Sequence, residues 1–276
     1  MAITAADVNN LRKQTGAGMM DCKRALEETN GDFEAAVDVL RKKGQKVAAK
    51  RGDNEAKEGL VFAQTTTDGK VGVVVRLNCE TDFVAKNEDF RNFVQSLMDI
   101  AIAKVPATTE ELLNESYDGK LSINEKIIEQ IGVVGEKLDL SGYETVRAEK
   151  VVAYNHPGNQ LATLVGLNKG SEVADEAGRQ VAMQVAAMNP LALSKEGIDE
   201  DTVRRELEVG KELAIQEGKP ADMAEKIAQG RLNKFFKENT LLSQDFVRDN
   251  KLTVEQFLNS TESGLTVVNF KRIAMS

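Results

Sequence analysis

The chain has 276 residues, 41% of them apolar and 29% charged, which is the composition of an ordinary globular protein of one large domain or several small ones. Four prolines, one histidine and two distant cysteines exclude a proline-rich linker, a His-rich metal site and a disulfide framework. The net charge of −8 opposes generic nucleic-acid binding, and no apolar run reaches the roughly 20 residues of a membrane span.

The opening Met1-Ala2-Ile3-Thr4 lacks the basic-then-apolar layout of a secretory signal, so the chain reads as cytoplasmic. There Cys22 and Cys79 stay reduced and act as small buried apolar residues. Residues 1–44 read as three short helices. Thr4 caps the first, with Asp7 three residues on, and Val8 and Leu11 mark its apolar face. Gly16-Ala17-Gly18 breaks it. The second carries Met19, Cys22 and Leu26 on one stripe and stops at Asn30-Gly31. Asp32 caps the third, whose face is Phe33, Ala36, Val37 and Leu40, and Gly44 ends it. So small a core suits a docking role. Residues 1–52 hold ten basic against seven acidic side chains, with the excess at Arg41, Lys42, Lys43, Lys46, Lys50 and Arg51. This cluster is either a solvated helix end, favoured by the macrodipole, or a contact to an acidic protein or RNA.

Residues 45–57 form a linker or an exposed helical extension. Residues 60–66 and 71–78 then read as strands joined by Asp68-Gly69, a hairpin signal. Thr81-Asp82 is a capping pair. A long helix follows from about residue 87, where Phe90, Phe93, Val94, Leu97, Met98 and Ala101 make the clearest helical stripe in the chain. Two weaker helical segments fill residues 109–131, one ending at Ile131-Gly132.

The second half repeats this plan. Residues 146–154 and 160–167 are β-like, joined around Asn155-His156-Pro157-Gly158. A helix from about Glu172 turns Val173, Ala177, Val181, Val185 and Met188 toward a core. Leu77-Asn78 has its counterpart in Leu167-Asn168, which makes a loose repeat of about 90 residues. Residues 201–238 interrupt the second unit with two helices. Val203, Leu207, Leu213 and Ile215 lie on one, and Met223, Ile227, Leu232 and Phe235 on the other. Phe246-Val247, a short helix at 254–258 and a strand at 265–270 complete the chain. The expected fold is α+β: a three-helix head and linker over residues 1–54, a first core unit over 55–145, and a related second unit over 146–276. An antiparallel helical hairpin is inserted at about 195–240.

No G-x-S-x-G, H-E-x-x-H or G-x-x-x-x-G-K-[ST] occurs, and Gly16-Ala17-Gly18 follows no strand. The residues point to interaction rather than turnover, with no cofactor and no metal.

Two segments go further. Residues 11–26, LRKQTGAGMMDCKRAL, and residues 78–87, NCETDFVAKN, resemble the two signatures of the elongation factor Ts family, in the right order and spacing. The resemblance extends over nearly the whole chain. It implies a ubiquitin-associated-like head and a guanine-nucleotide exchange factor without covalent chemistry. Its partner would be the GTPase elongation factor Tu, and it would bind no nucleotide itself. It further implies that Thr81, Asp82, Phe83 and Val84 form a tip that inserts between two helices of the GTPase, Phe83 entering an apolar pocket, so that Mg²⁺ is lost. Read without the family, Asp82 is a helix cap and Phe83 a core residue. Carried over likewise as partner contacts are Lys23, Lys50 and Arg51 of the head, Ile131 and Gly132, His156, and Phe246 with Val247. Three departures stand out. Arg76 occupies a usually acidic position and is expected on the outer face of its strand. Arg248 replaces an often apolar residue. The chain stops soon after Asn269-Phe270-Lys271-Arg272, where many relatives extend. The competing readings are an adaptor built on the head, and an RNA-associated factor using residues 41–51 whose affinity would fall steeply with salt.

Overall fold

The computed structural model describes residues 3–275; Met1 and Ala2, half of the segment read for a leader, lie outside them, as does Ser276. The head begins with α1 (Ala5–Thr15), opened by a reciprocal cap in which Thr4 and Asp7 bond each other's backbone amides, and closed by Gly16 at φ +70°. α2 (Met19–Glu28) and α3 (Phe33–Arg51) follow. Val8, Leu11, Cys22, Ala25, Leu26 and Ala36 close a small core. Met19, expected on the inner stripe of α2, is exposed.

Gly44 does not end α3, which continues to Arg51. The glycine is there for close approach. α3 crosses α7 (Ile123–Val134) at Gly44 and Gly132, where a Cβ on Gly44 would lie 2.9 Å from the Ile128 carbonyl oxygen. A Cβ on Gly132 would lie 2.7 Å from the Gly44 Cα. The same contact corrects the helix end expected at Ile131-Gly132: α7 runs on to Val134 and stops at Gly135. Beyond the crossing, Val47 and Ala48 pack against the first core unit. The stretch from residue 45 is thus helical as far as Arg51.

The first unit is an antiparallel sheet of order β1-β2-β3, from β1 (Glu58–Thr65), β2 (Val71–Cys79) and β3 (Asp139–Arg147). Strand alternation sends Leu60, Phe62, Val73, Val75 and Leu77 to a core shared with α5 (Glu88–Lys104), whose stripe from Phe90 to Ala101 is buried as its periodicity requires. Val61, Ala63 and Val74 face the other way, into the second sheet. That sheet has order β4-β5-β8, from β4 (Lys150–Asn155), β5 (Leu161–Leu167) and β8 (Val267–Ala274). Its outer face is covered by Ala174, Ala177, Val181, Ala182 and Val185 of α8 (Glu172–Met188). Val173 and Met188, expected on that stripe, are exposed.

The layers are therefore helix, sheet, sheet, helix. Burial on both faces explains why the central strands read as nearly continuous apolar runs. It also explains one misreading. Residues 146–154 look like a single strand, but they hold the end of β3 in one sheet and most of β4 in the other, with Ala148 and Glu149 between. Asn155 seals the two sheets: its Oδ1 accepts from the Ala63 amide at 2.7 Å and its Nδ2 donates to the Ala63 carbonyl at 2.9 Å. Arg76 is no free outer-face cation. It donates to Ser141 Oγ of β3 and to the Ala274 carbonyl of β8, both at 2.8 Å, and so ties the sheets together.

The insertion is a hairpin of α9 (Glu200–Gln216) and α10 (Ala221–Asn239). It closes on Gly210, Ala214, Ala224 and Ala228, small residues that let the helices approach, with Leu232 buried further along α10. Leu213 and Ile215 lie on α9 and Met223 on α10, as the spacing predicts, and all three are exposed. β6 (Asp245–Phe246), β7 (Asp249–Thr253) and α11 (Val254–Thr261) lead to β8. The fold is α+β, with a three-helix N-terminal segment. Among the described residues no helix is long and apolar enough to cross a membrane.

Candidate functional site

After β2 the chain must reach α5 on the outer face of its sheet, and it does so through one extra turn. Thr81 caps the four-residue α4 (Asp82–Ala85), and Asn87 caps α5 in turn. Ala85 is buried in the first core and Val84 packs against it, which leaves Phe83 on the opposite side of the turn. Phe83 is 83% exposed, more than any other large apolar side chain among the described residues. An aromatic ring held in water beside a rigid core is a candidate binding element, since its burial on a partner would contribute about 1.5–3 kcal/mol. Asp82 is paired with Lys86, Nζ to Oδ2 at 2.6 Å, and this partner holds its carboxyl below the usual range.

The segment ahead of the ring is tightly bonded. Glu80 receives Arg51 Nη1 at 2.9 and 2.8 Å, Asn54 Nδ2 at 3.0 Å and the Lys137 amide at 2.6 Å. Glu136 accepts from the amides of Glu80 at 3.2 Å and Thr81 at 3.0 Å, and from the Thr81 hydroxyl at 2.7 Å. The Cys79 thiol donates to the Thr81 carbonyl at 3.2 Å. Burial, with Glu136 and Glu58 nearby, pushes that thiol up to about 12, so it keeps its proton. Sequence reasoning missed Glu80 and Glu136. Glu80 stands inside NCETDFVAKN but just ahead of the Thr-Asp-Phe that the motif points to, and only the fold brings Glu136 beside Thr81.

A second cluster joins residues that are 90 positions apart. His156, Phe246 and Val247 line one largely apolar groove of about 480 Å³, together with Tyr154, Met183 and Arg248. Tyr154 fixes His156 through its hydroxyl, 3.0 Å from Nδ1, and through an edge contact of the rings. Phe246 forms the groove's inner wall: it is 3% exposed and stacks on Phe257 at 4.1 Å. Val247 is exposed at the rim. Arg91 of α5 donates to Asn159 Oδ1 at 2.8 Å and so fastens the turn that carries His156 to the helix that follows the tip.

The other expected contacts divide. Lys23 is exposed on α2, on the side of Met19 and Met20, an apolar pair also in solvent. Lys50 is exposed at the end of α3. Arg51 is spent on Glu80, and Ile131 is buried in the first core. Gly132 serves the crossing with α3.

A family model described as Elongation factor TS matches residues 80–276. The chain is 52% identical to the elongation factor Ts of Amoebophilus asiaticus over 275 residues, covering 99% of each chain. It is 52% identical to that of Cytophaga hutchinsonii over 275 residues, again 99% of each. With that of Christiangramia forsetii it shares 49% identity over 273 residues, 99% of this chain and 98% of the other.

Proposed function

The chain belongs to the elongation factor Ts family of translation elongation factors, and from that premise we propose that it is the guanine-nucleotide exchange factor of elongation factor Tu. The observation that carries this reading is the exposed Phe83, standing on a braced turn within the family's NCETDFVAKN segment. The tip enters between two helices of the GTPase beside its nucleotide site. Phe83 fills an apolar pocket there, losing little conformational entropy because its turn is already ordered. The GTPase shifts around the ring and its Mg²⁺ is lost. Mg²⁺ neutralises the phosphates, so its loss removes much of the hold on GDP. No covalent step is needed. The factor acts by binding the nucleotide-free GTPase more tightly than the GDP-bound one, and by reciprocity GDP weakens the factor equally.

The groove at His156, Phe246 and Val247 makes a second contact, and the head a third through Lys23 with Met19 and Met20. The protein acts in the cytoplasm and binds no nucleotide itself. The test is release of a fluorescent GDP analogue from elongation factor Tu. The native protein accelerates release, and Phe83→Ala lowers the acceleration at least about tenfold, matching about 1.4 kcal/mol of lost ring burial. No acceleration by a folded native protein would sink the exchange reading. Acceleration that survives the substitution would move the mechanism to the groove.

A further inference from the structure

An exposed aromatic ring is useful to a partner only if it is held still. A four-residue helix cannot do this alone, because so short a helix does not nucleate stably in water. Phe83 itself buries little, and Thr81 and Asp82 before it are only partly buried. Val84 and Ala85 anchor the far side of the turn in the core, so the order of the backbone ahead of Phe83 must come from groups outside the tip.

Two carboxylates supply that order. Glu136, from the loop between α7 and β3, accepts the amides of Glu80 and Thr81 and the Thr81 hydroxyl. The same hydroxyl accepts from the Val84 amide as the cap of α4, so Glu136 fixes the rotamer of the cap itself. Glu80 turns its side chain the other way, onto Arg51, Asn54 and the Lys137 amide. The residue after Glu136 is therefore held by Glu80, while Glu136 holds Glu80. This reciprocal arrangement locks the two loops against each other. Arg51 is the last residue of α3, so the lock reaches the helix that begins in the head.

We propose that Glu136 and Glu80 are positioning residues for the tip: together they fix the backbone ahead of Phe83 in one conformation before any partner arrives, and through Arg51 they set that conformation relative to the head. The proposal rests on the exchange reading for its consequence but not for its structural content. A tip that samples many conformations is competent for only a fraction of the time, and apparent affinity falls by that fraction. Loss of the lock therefore raises the concentration of factor needed for half-maximal GDP release and leaves the maximal rate close to native. Loss of the ring lowers the maximal rate.

The experiment is amide hydrogen exchange on the free full-length protein, followed by GDP release at varied factor concentration. Glu136→Ala leaves two amides without acceptors. Exchange at residues 80–85 rises at least about tenfold while α5 and α8 keep their protection. The half-maximal concentration rises about fivefold or more with the maximal rate retained. Glu136→Gln, which keeps one acceptor oxygen at the same reach, recovers part of both. Should Glu136→Ala fail to fold, Thr81→Val removes the hydroxyl from the same carboxylate with no change of shape, and exchange at residues 80–85 rises about threefold. Native protection at residues 80–85 in the folded variants would overturn the proposal whatever GDP release does. A native protein that does not release GDP would instead remove the exchange reading and leave the amide result to decide the lock.

Discussion

The two core units are built alike and end differently. In each, an antiparallel hairpin passes into a helix that covers the outer face of its sheet, and a later strand completes the sheet on the far side of the middle strand. Each middle strand shifts register near its end, at Arg76/Leu77 in β2 and at Gly166/Leu167 in β5. Each then places an asparagine whose Nδ2 donates to a carbonyl: Asn78 to Ala56 at 2.8 Å, Asn168 to Gly264 at 2.9 Å. From there they part. The second unit needs only Lys169 and Gly170 to reach its helix cap at Ser171, and that turn is sewn to the approach of β8 by Lys169 on Ser263 and Ser171 on Glu262. The first unit inserts an additional helical turn before its cap at Asn87, and that turn lifts Phe83 off the core. One scaffold thus gives a closed end and an open one. The difference lies in a few residues of loop, not in the sheet.

The sharpest way to break this comparison sets two phenylalanines of the first unit against each other. Phe90 is 4% exposed under the sheet, and Phe83 is 83% exposed seven residues earlier. Phe90→Ala removes a core ring and lowers stability by about 3–5 kcal/mol in urea denaturation. Phe83→Ala changes it by less than about 0.5 kcal/mol, because the ring stands in solvent. Equal losses would mean that the tip belongs to the core and that the two units do not differ as described.

The next effect concerns what only the first unit has, a helix from the head laid across it. Gly132→Leu places a side chain where the Gly44 Cα already stands. Such overpacking costs about 1–3 kcal/mol, or more where backbones touch. Exchange protection drops in the head and in α7 while β5 and α8 stay native. A uniform loss through both units would show that the crossing stabilises the whole chain rather than fastening the head.

These elements were unequally legible in the sequence. Period-3.6 stripes and cap residues announced α1, α5 and the hairpin, because burial on one side and capping chemistry are local. Asp68-Gly69 announced the β1–β2 turn. Gly44 and Ile131-Gly132 were read as helix stops, since a glycine that ends a helix and one that admits a neighbouring helix look alike until the neighbour is known. β3 was hidden for a related reason: its last residues run straight into β4 as one apolar stretch, and only the three-dimensional arrangement separates them. Met19 and Val173 read as members of inner stripes but are exposed, because apolar spacing does not say which side of a marginal stripe meets the core. Phe83 is the instructive case. Its own surroundings suggest core, and the family's motif suggested a tip. The reason for its exposure lies in Val84 and Ala85, which take the inward side of so short a turn. The bracing role of Glu80, although it lies inside the family segment, and of Glu136 is not legible in the sequence, because a reciprocal lock between loops exists only once the fold has formed.

The smallest effect distinguishes how the two ends are held. Burial alone would raise the Glu80 carboxyl, but the Lys137 amide, Arg51 and Asn54 more than offset it, so its folded value lies below the ordinary one. Glu262, in the second unit, is likewise held low, by the Ser171 hydroxyl and then by Lys169. A carboxyl depressed on folding contributes order that is fully present above its unfolded value of about 4.3, and that order is lost as pH falls through the lower folded value. Both ends should therefore loosen in acid, but not equally. The first depends on a titrating carboxylate for a backbone amide itself, since Glu80 accepts that of Lys137. The second keeps the two bonds of Asn168, to Gly264 and from the Thr266 amide at 2.9 Å, and neither of these titrates. Between pH 6 and pH 3.5, the protection factor at the Lys137 amide falls about threefold and those at residues 168–174 by less than half as much. A matching fall at both ends would mean that the open end is no more dependent on charge than the closed one, and that the lock ahead of Phe83 draws its strength from packing instead.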